Sequence, residues 1–350
     1  MLRIIKKGPD RFGFTSDGSY RYHFNEVTGH FARMGKTSSP EDDPIMAPVP
    51  EILDLEVSDI CFGPGGTANK PNVCKFCYKS NTPKGNNMSY ETFRTIIDKM
   101  PWLTQIAFGA DAQGTSNPDM FPMMAYARSK GIIPNITVAD VSDSTANMLS
   151  RLCGAVAVSR YEDKNYCYNS IERLTKHGLS QVNIHILTSA ETYDQIMETF
   201  NDYLSGEPRL KGLNAIVLLN LKRKGRGVGY TRMPDAYFNN IVNYALDNDI
   251  PLGLDSCGAH RFLNAIKGRE DAKRLETYVE PCESGIFSSY LNLKGEFFPC
   301  SFTENTPKWP FGLDVVHCDD FVKDIWNHPR TKEFRNLLLC NNRNCPIYEV

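Results

Sequence analysis

The 350-residue sequence is short of several things, and each shortage removes a class of function. No apolar run approaches the ~20 residues a helix needs to cross a bilayer, and so no membrane association is expected. The first residues, Met1-Leu2-Arg3-Ile4-Ile5-Lys6-Lys7-Gly8, lack the apolar core of a secretory signal. A cytoplasmic location is the resulting expectation. Charge excess is lacking too. The 39 Lys and Arg residues against 41 Asp and Glu leave a formal net charge of -2, which gives no electrostatic case for a nucleic-acid or anionic-membrane partner. Cysteine, by contrast, is plentiful. Eleven cysteines, an odd number, in a chain expected to sit in a reducing compartment argue for metal or cluster ligation over disulfides.

Three of these cysteines are concentrated in Ile60-Cys61-Phe62-Gly63-Pro64-Gly65-Gly66 and Val73-Cys74-Lys75-Phe76-Cys77-Tyr78. Twelve residues separate Cys61 from the Cys74-x-x-Cys77 pair, and aromatic Phe76 precedes the third cysteine. Three thiolates hold three irons of a four-iron, four-sulfur cube and leave the fourth iron open, whereas complete protein ligation needs a fourth thiolate. Spacing alone leaves a second reading open: Cys74 and Cys77 as half of a zinc knuckle, with Cys61 a buried small hydrophobe.

Residues 1–50 read as a small β-rich extension. Tyr20–Phe24 and His30–Arg33 alternate aromatic and polar residues around a Gly29 turn, a hairpin signature, with His23 and His30 as surface strand residues. Ser38-Ser39-Pro40-Glu41-Asp42-Asp43-Pro44 reads as a linker. From 51 to 255 the pattern is strand–helix alternation. The first strand carries Leu53, Leu55 and Val57 and delivers Cys61 at its C-terminal end, and Ser89 caps a helix with Phe93, Ile96, Ile97 and Met100 on one face. Further strands are expected at 105–108, 133–138, 155–159, 182–187 and 215–221. The intervening helices include one opened by Asn117 and Pro118. Six β/α units imply a parallel sheet, open or closed into a barrel, with ligands at the strand C-terminal ends. Cys61 lies at such an end.

Cys61, Cys74 and Cys77 together resemble the signature of radical S-adenosylmethionine (SAM) enzymes, although the family's first spacing is three residues where this chain has twelve. The resemblance covers about residues 51–255. It implies a partial (β/α)6 TIM-like barrel, a SAM-binding 4Fe-4S cluster on the three cysteines, and reductive cleavage of SAM to a 5′-deoxyadenosyl radical that removes hydrogen from a substrate. Phe108-Gly109-Ala110-Asp111 stands where the family has Gly-Gly-Glu-Pro, so Gly109, Ala110 and Asp111 are the candidate contacts of the SAM amino group. Val158-Ser159-Arg160-Tyr161 stands where the family has Val-Ser-Leu-Asp, which makes Ser159 and Arg160 candidates for the SAM ribose and carboxylate. Phe76, and His185 on the fifth strand, complete the cofactor candidates.

The remaining region, 256–350, contains Cys257, Cys282, Cys300, Cys318, Cys340 and Cys345. Cys282, twelve residues, a Lys294-Gly295 turn and Phe298-Pro299-Cys300 resemble the opening of the SPASM and twitch domains that carry auxiliary iron–sulfur clusters. The resemblance implies one auxiliary 4Fe-4S cluster on Cys257, Cys282, Cys300 and Cys345, with Cys340 or Cys318 as substitutes; a structural zinc on the same four is the bland alternative. Cys153 and Cys167 read as core residues, and Lys222-Arg223-Lys224-Gly225-Arg226-Gly227 as a solvated loop. Trp309, Trp326 and Phe311 read as core packing. The function implied is modification of a peptide or protein side chain, with tailoring of a sugar, nucleoside or cofactor precursor as the alternative. Flavodoxin or ferredoxin is the expected electron donor. A zinc-stabilised α/β binding protein without catalysis is the reading from another class.

Overall fold

The structure is a computed structural model and describes residues 2–37, 39 and 42–350. Of the expected linker, Ser38, Pro40 and Glu41 lie outside the described residues. Four antiparallel strands, β1 (Leu2–Lys7), β2 (Asp10–Thr15), β3 (Arg21–Asn25) and β4 (Phe31–Met34), form a first sheet in sequence order. The hairpin legible in the sequence is β3–β4, with Tyr22 opposite Arg33 and Phe24 opposite Phe31. Alternation along it buries Tyr20, Tyr22 and Phe24. This sheet seals the N-terminal ends of the core strands. Arg11 donates to the carbonyls of Leu103 and Gly131, and Gln181 to that of Val27.

The core alternates β5 (Ile52–Glu56), α1 (Tyr90–Asp98), β6 (Gln105–Gly109), α2 (Met120–Ser129), β7 (Ile133–Val138), α3 (Asp143–Leu152), β8 (Ala155–Ser159), α4 (Lys164–Lys176), β9 (Val182–Thr188), α5 (Tyr193–Leu204), β10 (Ala215–Asn220), α6 (Asp235–Asp247) and β11 (Leu252–Leu254). All seven of these strands run parallel. Ser89 caps α1 by accepting from the Thr92 N–H at 3.1 Å, as its sequence position indicates. Helix α2 begins at Met120, later than Asn117-Pro118 indicates; Asn117 Oδ1 still accepts from the Asp119 N–H at 2.9 Å, while its Nδ2 donates to Val57 O and Met88 O.

The two faces of this sheet differ in composition. Leu53, Leu55, Ile106, Phe108, Val156, Val158, Ile184, Ile186, Ile216 and Leu218 are fully buried. With a period of two, the opposite face carries Asp54, Ala107, Asn135, Thr137, Ser159, Asn183 and His185. These side chains are small or polar and half-buried or, at Thr137, exposed, so this face, the cleft face, stays open to solvent.

The C-terminal region joins the same sheet. Strands β12 (Ser288–Leu291), β13 (Glu296–Phe298) and β14 (Leu313–Asp314) extend it beyond β5, giving the order β11-β10-β9-β8-β7-β6-β5-β12-β13-β14. Strand β12 pairs with β5 in parallel (Ser289 with Leu53, Leu291 with Leu55), and β12–β13 is the expected hairpin around Gly295. Trp309 and Trp326 are core residues, while Phe311 is exposed.

Candidate metal centres

Cys61, Cys74 and Cys77 lie beyond the C-terminal end of β5, in two loops that fold back on each other. At Gly63, with φ of +75°, a Cβ would collide with the carbonyl of Asn72, so only glycine permits the close return of the twelve-residue insertion. Asn72 N–H donates to Phe62 O at 2.7 Å, and Gln113 donates to Gly63 O at 2.7 Å, pinning the insertion to the loop after β6. The Cys61 sulfur accepts from the N–H groups of Ala112 and Gly63, and the Cys74 sulfur from that of Phe76 and from the Tyr161 hydroxyl. Tyr161 feels the charge of all three cysteines, and its ring stacks on Phe76 at 5.4 Å. Burial pushes the Cys74 thiol up to about 12 and raises Cys61 as well.

Other residues expected here fall in different places. Ser159 and His185 are paired across β8–β9 on the cleft face, and burial holds His185 down to about 4. Asp111 is buried, and its carboxylate accepts from the N–H groups of Gln113, Thr115 and Ser116 and from the Ser116 hydroxyl. It therefore shapes the loop whose next residue, Ala112, reaches Cys61. Gly109 and Ala110 stand at the end of β6, and Gly109 O accepts from Val57 N–H.

Arg160 is a correction. It points away from the cysteines, towards the helices, where its guanidinium donates to Tyr161 O, Glu162 O and Glu198 at 2.6 Å. The reason is strand alternation: Ser159 faces the cleft, Arg160 turns outward, and Tyr161 turns back in. Tyr161 was visible in the sequence, and the period of two was the signal that selects it.

A second set forms where four distant cysteines meet. Cys257, Cys282, Cys300 and Cys345 line one small, largely apolar cavity with Phe302, Phe334 and Ile347. Amide donors reach these sulfurs as well: Ser284 to Cys282, Phe302 and Thr303 to Cys300, and Tyr348 to Cys345 at 3.3 Å. Of the substitutes, Cys318 gives its S–H to Val315 O and Cys340 is exposed, and neither lines the cavity. Cys153 and Cys167 are buried core residues that donate to Met124 Sδ and Val158 O.

This divides the cysteines by chemistry. Neutral thiols are weak acceptors, whereas thiolates are strong ones. The fold brings each of these two sets together in one place, which fits them as ligands of a metal group that takes up thiolates. Among the described residues, no three His, Cys, Asp or Glu side chains converge closely enough to hold a single ion. A tetrahedral zinc needs its sulfurs about 2.3 Å from one point.

The basic stretch after β10 is a second correction, since it is clamped between the two sets and is not a solvated loop. Arg226 donates to Cys74 O at 2.7 Å and Asn81 O at 3.0 Å, and its own N–H to Cys77 O at 3.0 Å. Lys224 donates to the carbonyls of Ser301, Phe302 and Glu304. Lys222 is buried against Asp255 and Cys257. Gly225, at φ +56°, lies so close to Tyr78 O and Cys77 O that no side chain fits.

Beside the first set, a cavity of about 550 Å³ opens between Tyr78–Lys84 and the β12–β13 hairpin. At its edge Lys79 pairs with Glu56 and Glu304, and the Tyr290 hydroxyl bonds to both carboxylates. Lys84, Lys294 and Phe311 stand at its exposed margin.

No protein-family model matches the chain, and no curated protein matches it in sequence. In structure it is similar to SuiB of Streptococcus suis, with a TM-score of 0.66 at 11% identity over 94% of this chain and 90% of that one. The two share one fold. Weaker likenesses are to BtrN in complex with AdoMet and 2-DOIA (TM-score 0.42, 13% identity, 83% and 87% covered) and to Escherichia coli HemN, described as a radical SAM enzyme (0.39, 10%, 58% and 54%). These two are too distant to carry an argument. Among the described residues, no helix is long and apolar enough to cross a membrane.

Proposed function

We propose that this protein is a radical SAM enzyme. The observation that carries the reading is the set of three cysteines brought together at the C-terminal mouth of β5, where the close return at Gly63 folds the two cysteine loops onto each other. Cys61, Cys74 and Cys77 would hold a 4Fe-4S cluster with one open iron. With SAM bound, that group supplies reductive cleavage to a 5′-deoxyadenosyl radical. The chain's own part is to orient and to exclude. Tyr161 and Phe76 wall the cysteines from the α4 side, the Asp111 loop holds Cys61, and the small residues of the cleft face leave room for a cofactor and a substrate.

Cys257, Cys282, Cys300 and Cys345 are proposed as ligands of a second 4Fe-4S cluster, supported by their shared cavity and their amide donors. The proposed substrate is a peptide or protein side chain, entering by the charged cavity beside Cys77. A small molecule is the alternative. Flavodoxin or ferredoxin is proposed as the electron donor.

The test is anaerobic purification with assays of iron, acid-labile sulfide and zinc, followed by reduction in the presence of SAM. Iron and sulfide together with 5′-deoxyadenosine, absent in the Cys61→Ala/Cys74→Ala/Cys77→Ala protein, is the expected result. Zinc without sulfide, or cleavage unchanged by the triple substitution, would overturn it. The substrate route is tested with Lys84→Glu/Lys294→Glu, which should lose stimulation of SAM cleavage by peptide substrates while keeping the basal rate.

A further inference from the structure

Lys222 is 6% exposed, and its ammonium is enclosed by Asp255, the Cys257 sulfur and the face of Phe302 at 5.0 Å. A buried cation is costly unless anions match it. Asp255 is one such anion, but its carboxylate already accepts from Asn220 N–H at 3.2 Å, Asn220 Nδ2 at 3.0 Å and Gly258 N–H at 3.1 Å. Lys222 also lines the same small cavity as Cys257, so its charge faces that sulfur. Sheet register makes the contact rigid. Lys222 follows β10 and Cys257 follows β11, adjacent parallel strands in which Leu218 pairs with Leu254, and Asp255 caps the turn that carries Cys257. Of the four cysteines, Cys257 is the one supplied from this edge of the sheet.

We propose that Lys222 is a positioning residue of the second cysteine site, donating to the Cys257 thiolate and raising the reduction potential of the cluster held there. The inference rests on the reading of that site as an iron–sulfur centre. A fixed positive charge beside a ligand sulfur stabilises the more negative, reduced form of a cluster. Asp255, held at the same place, acts in the opposite direction. Arg343, which donates to Cys282 O at 3.0 Å, and Lys224, which donates to the carbonyls of Ser301 and Phe302 next to Cys300, are further cations near the site and remain constant in the comparison.

The experiment uses the full-length Cys61→Ala/Cys74→Ala/Cys77→Ala protein, so that only the second site contributes. Midpoint potentials are measured by spectroscopically monitored redox titration, with iron and sulfide determined per chain. Lys222→Met should shift the potential to a more negative value, Lys222→Arg should restore most of it, and Asp255→Asn should shift it the other way. Equal potentials in Lys222→Met and its parent at equal loading overturn the proposal. If Lys222→Met does not hold the cluster, the Lys222→Arg and Asp255→Asn pair decides, and an unmoved potential in Asp255→Asn overturns it. A parent containing zinc and no sulfide at the second site overturns the iron–sulfur reading and the proposal with it, an outcome distinct from a loaded cluster whose potential ignores Lys222.

Discussion

Tyr161 and Asp54 show how much a single side chain decides on the cleft face. Tyr161 bonds Cys74 through its hydroxyl and supports Phe76 through its ring, so Tyr161→Phe separates the two roles. A lost hydrogen bond of this kind costs about 0.5–1.5 kcal/mol. For protein loaded with the proposed first cluster, the expected outcome is iron loss several-fold faster under chelator challenge, with a nearly unchanged unfolding midpoint. Asp54 carries a different signal. Burial, reinforced by the charge of Glu283, raises its carboxyl from 3.8 to about 7. The folded state therefore favours the protonated form. The associated stability is complete below pH ~4 and is lost as the pH rises to ~7. The shift corresponds to at most about 4 kcal/mol, since the side chain is partly open to solvent. Asp54→Asn should accordingly stabilise the protein at pH 8 and change little at pH 4, measured by denaturant midpoints at the two pH values.

Among the elements, the loop after β10 carries most of the organisation that composition alone conceals. A run of Lys, Arg and Gly has the character of a solvated turn, and nothing local contradicts that. Its cations are instead drawn to backbone carbonyls left unpaired by the irregular loops around both cysteine sets. Gly225→Ala must move the loop away from Cys77 O and Tyr78 O as well as adopt a positive φ, at a cost of at least ~1 kcal/mol. Gly229→Ala meets nothing within 4 Å and should be close to neutral. Urea denaturation of the two variants gives the comparison, and equal midpoints would show that the loop is free to shift.

For the whole molecule, one ion cluster and one cysteine set tie the parts together. Arg33 on β4 donates to Glu51 at 2.7 Å, Glu280 at 3.1 Å and Glu283 at 2.8 Å, and lies over the Phe287 ring at 4.1 Å. It thereby joins the N-terminal sheet, the entry to β5 and the C-terminal region. Glu51 is 1% exposed, so Arg33→Met leaves a buried carboxylate without its partner, a loss of about 3–5 kcal/mol. Lys6→Met, which removes an exposed partner of Glu26, should cost well under ~1 kcal/mol. Thermal unfolding of both variants tests the contrast. The second cysteine set spans opposite ends of the large sheet: Cys257 follows β11, whereas Cys282 and Cys300 flank β12 and β13 beyond β5. Stripping the metal proposed for it should increase hydrogen exchange at β11 and β12 together, while the central strands β7 and β8 stay protected.

The sequence by itself determined the six β/α units, their boundaries to within a few residues and the delivery of Cys61 by β5, because periodicity and capping are local and the apolar face of each element has one place to go. It also marked the Cys282–Cys300 hairpin and the separation of core cysteines from the rest. The pairing of β12 with β5, the outward turn of Arg160, the spending of Asp111 on its own loop and the descent of Lys222 and Arg226 between the cysteine sets were decided by tertiary structure. Each depends on which unpaired backbone groups and charges come within reach once the sheet has formed, and that depends on contacts between residues far apart in the chain.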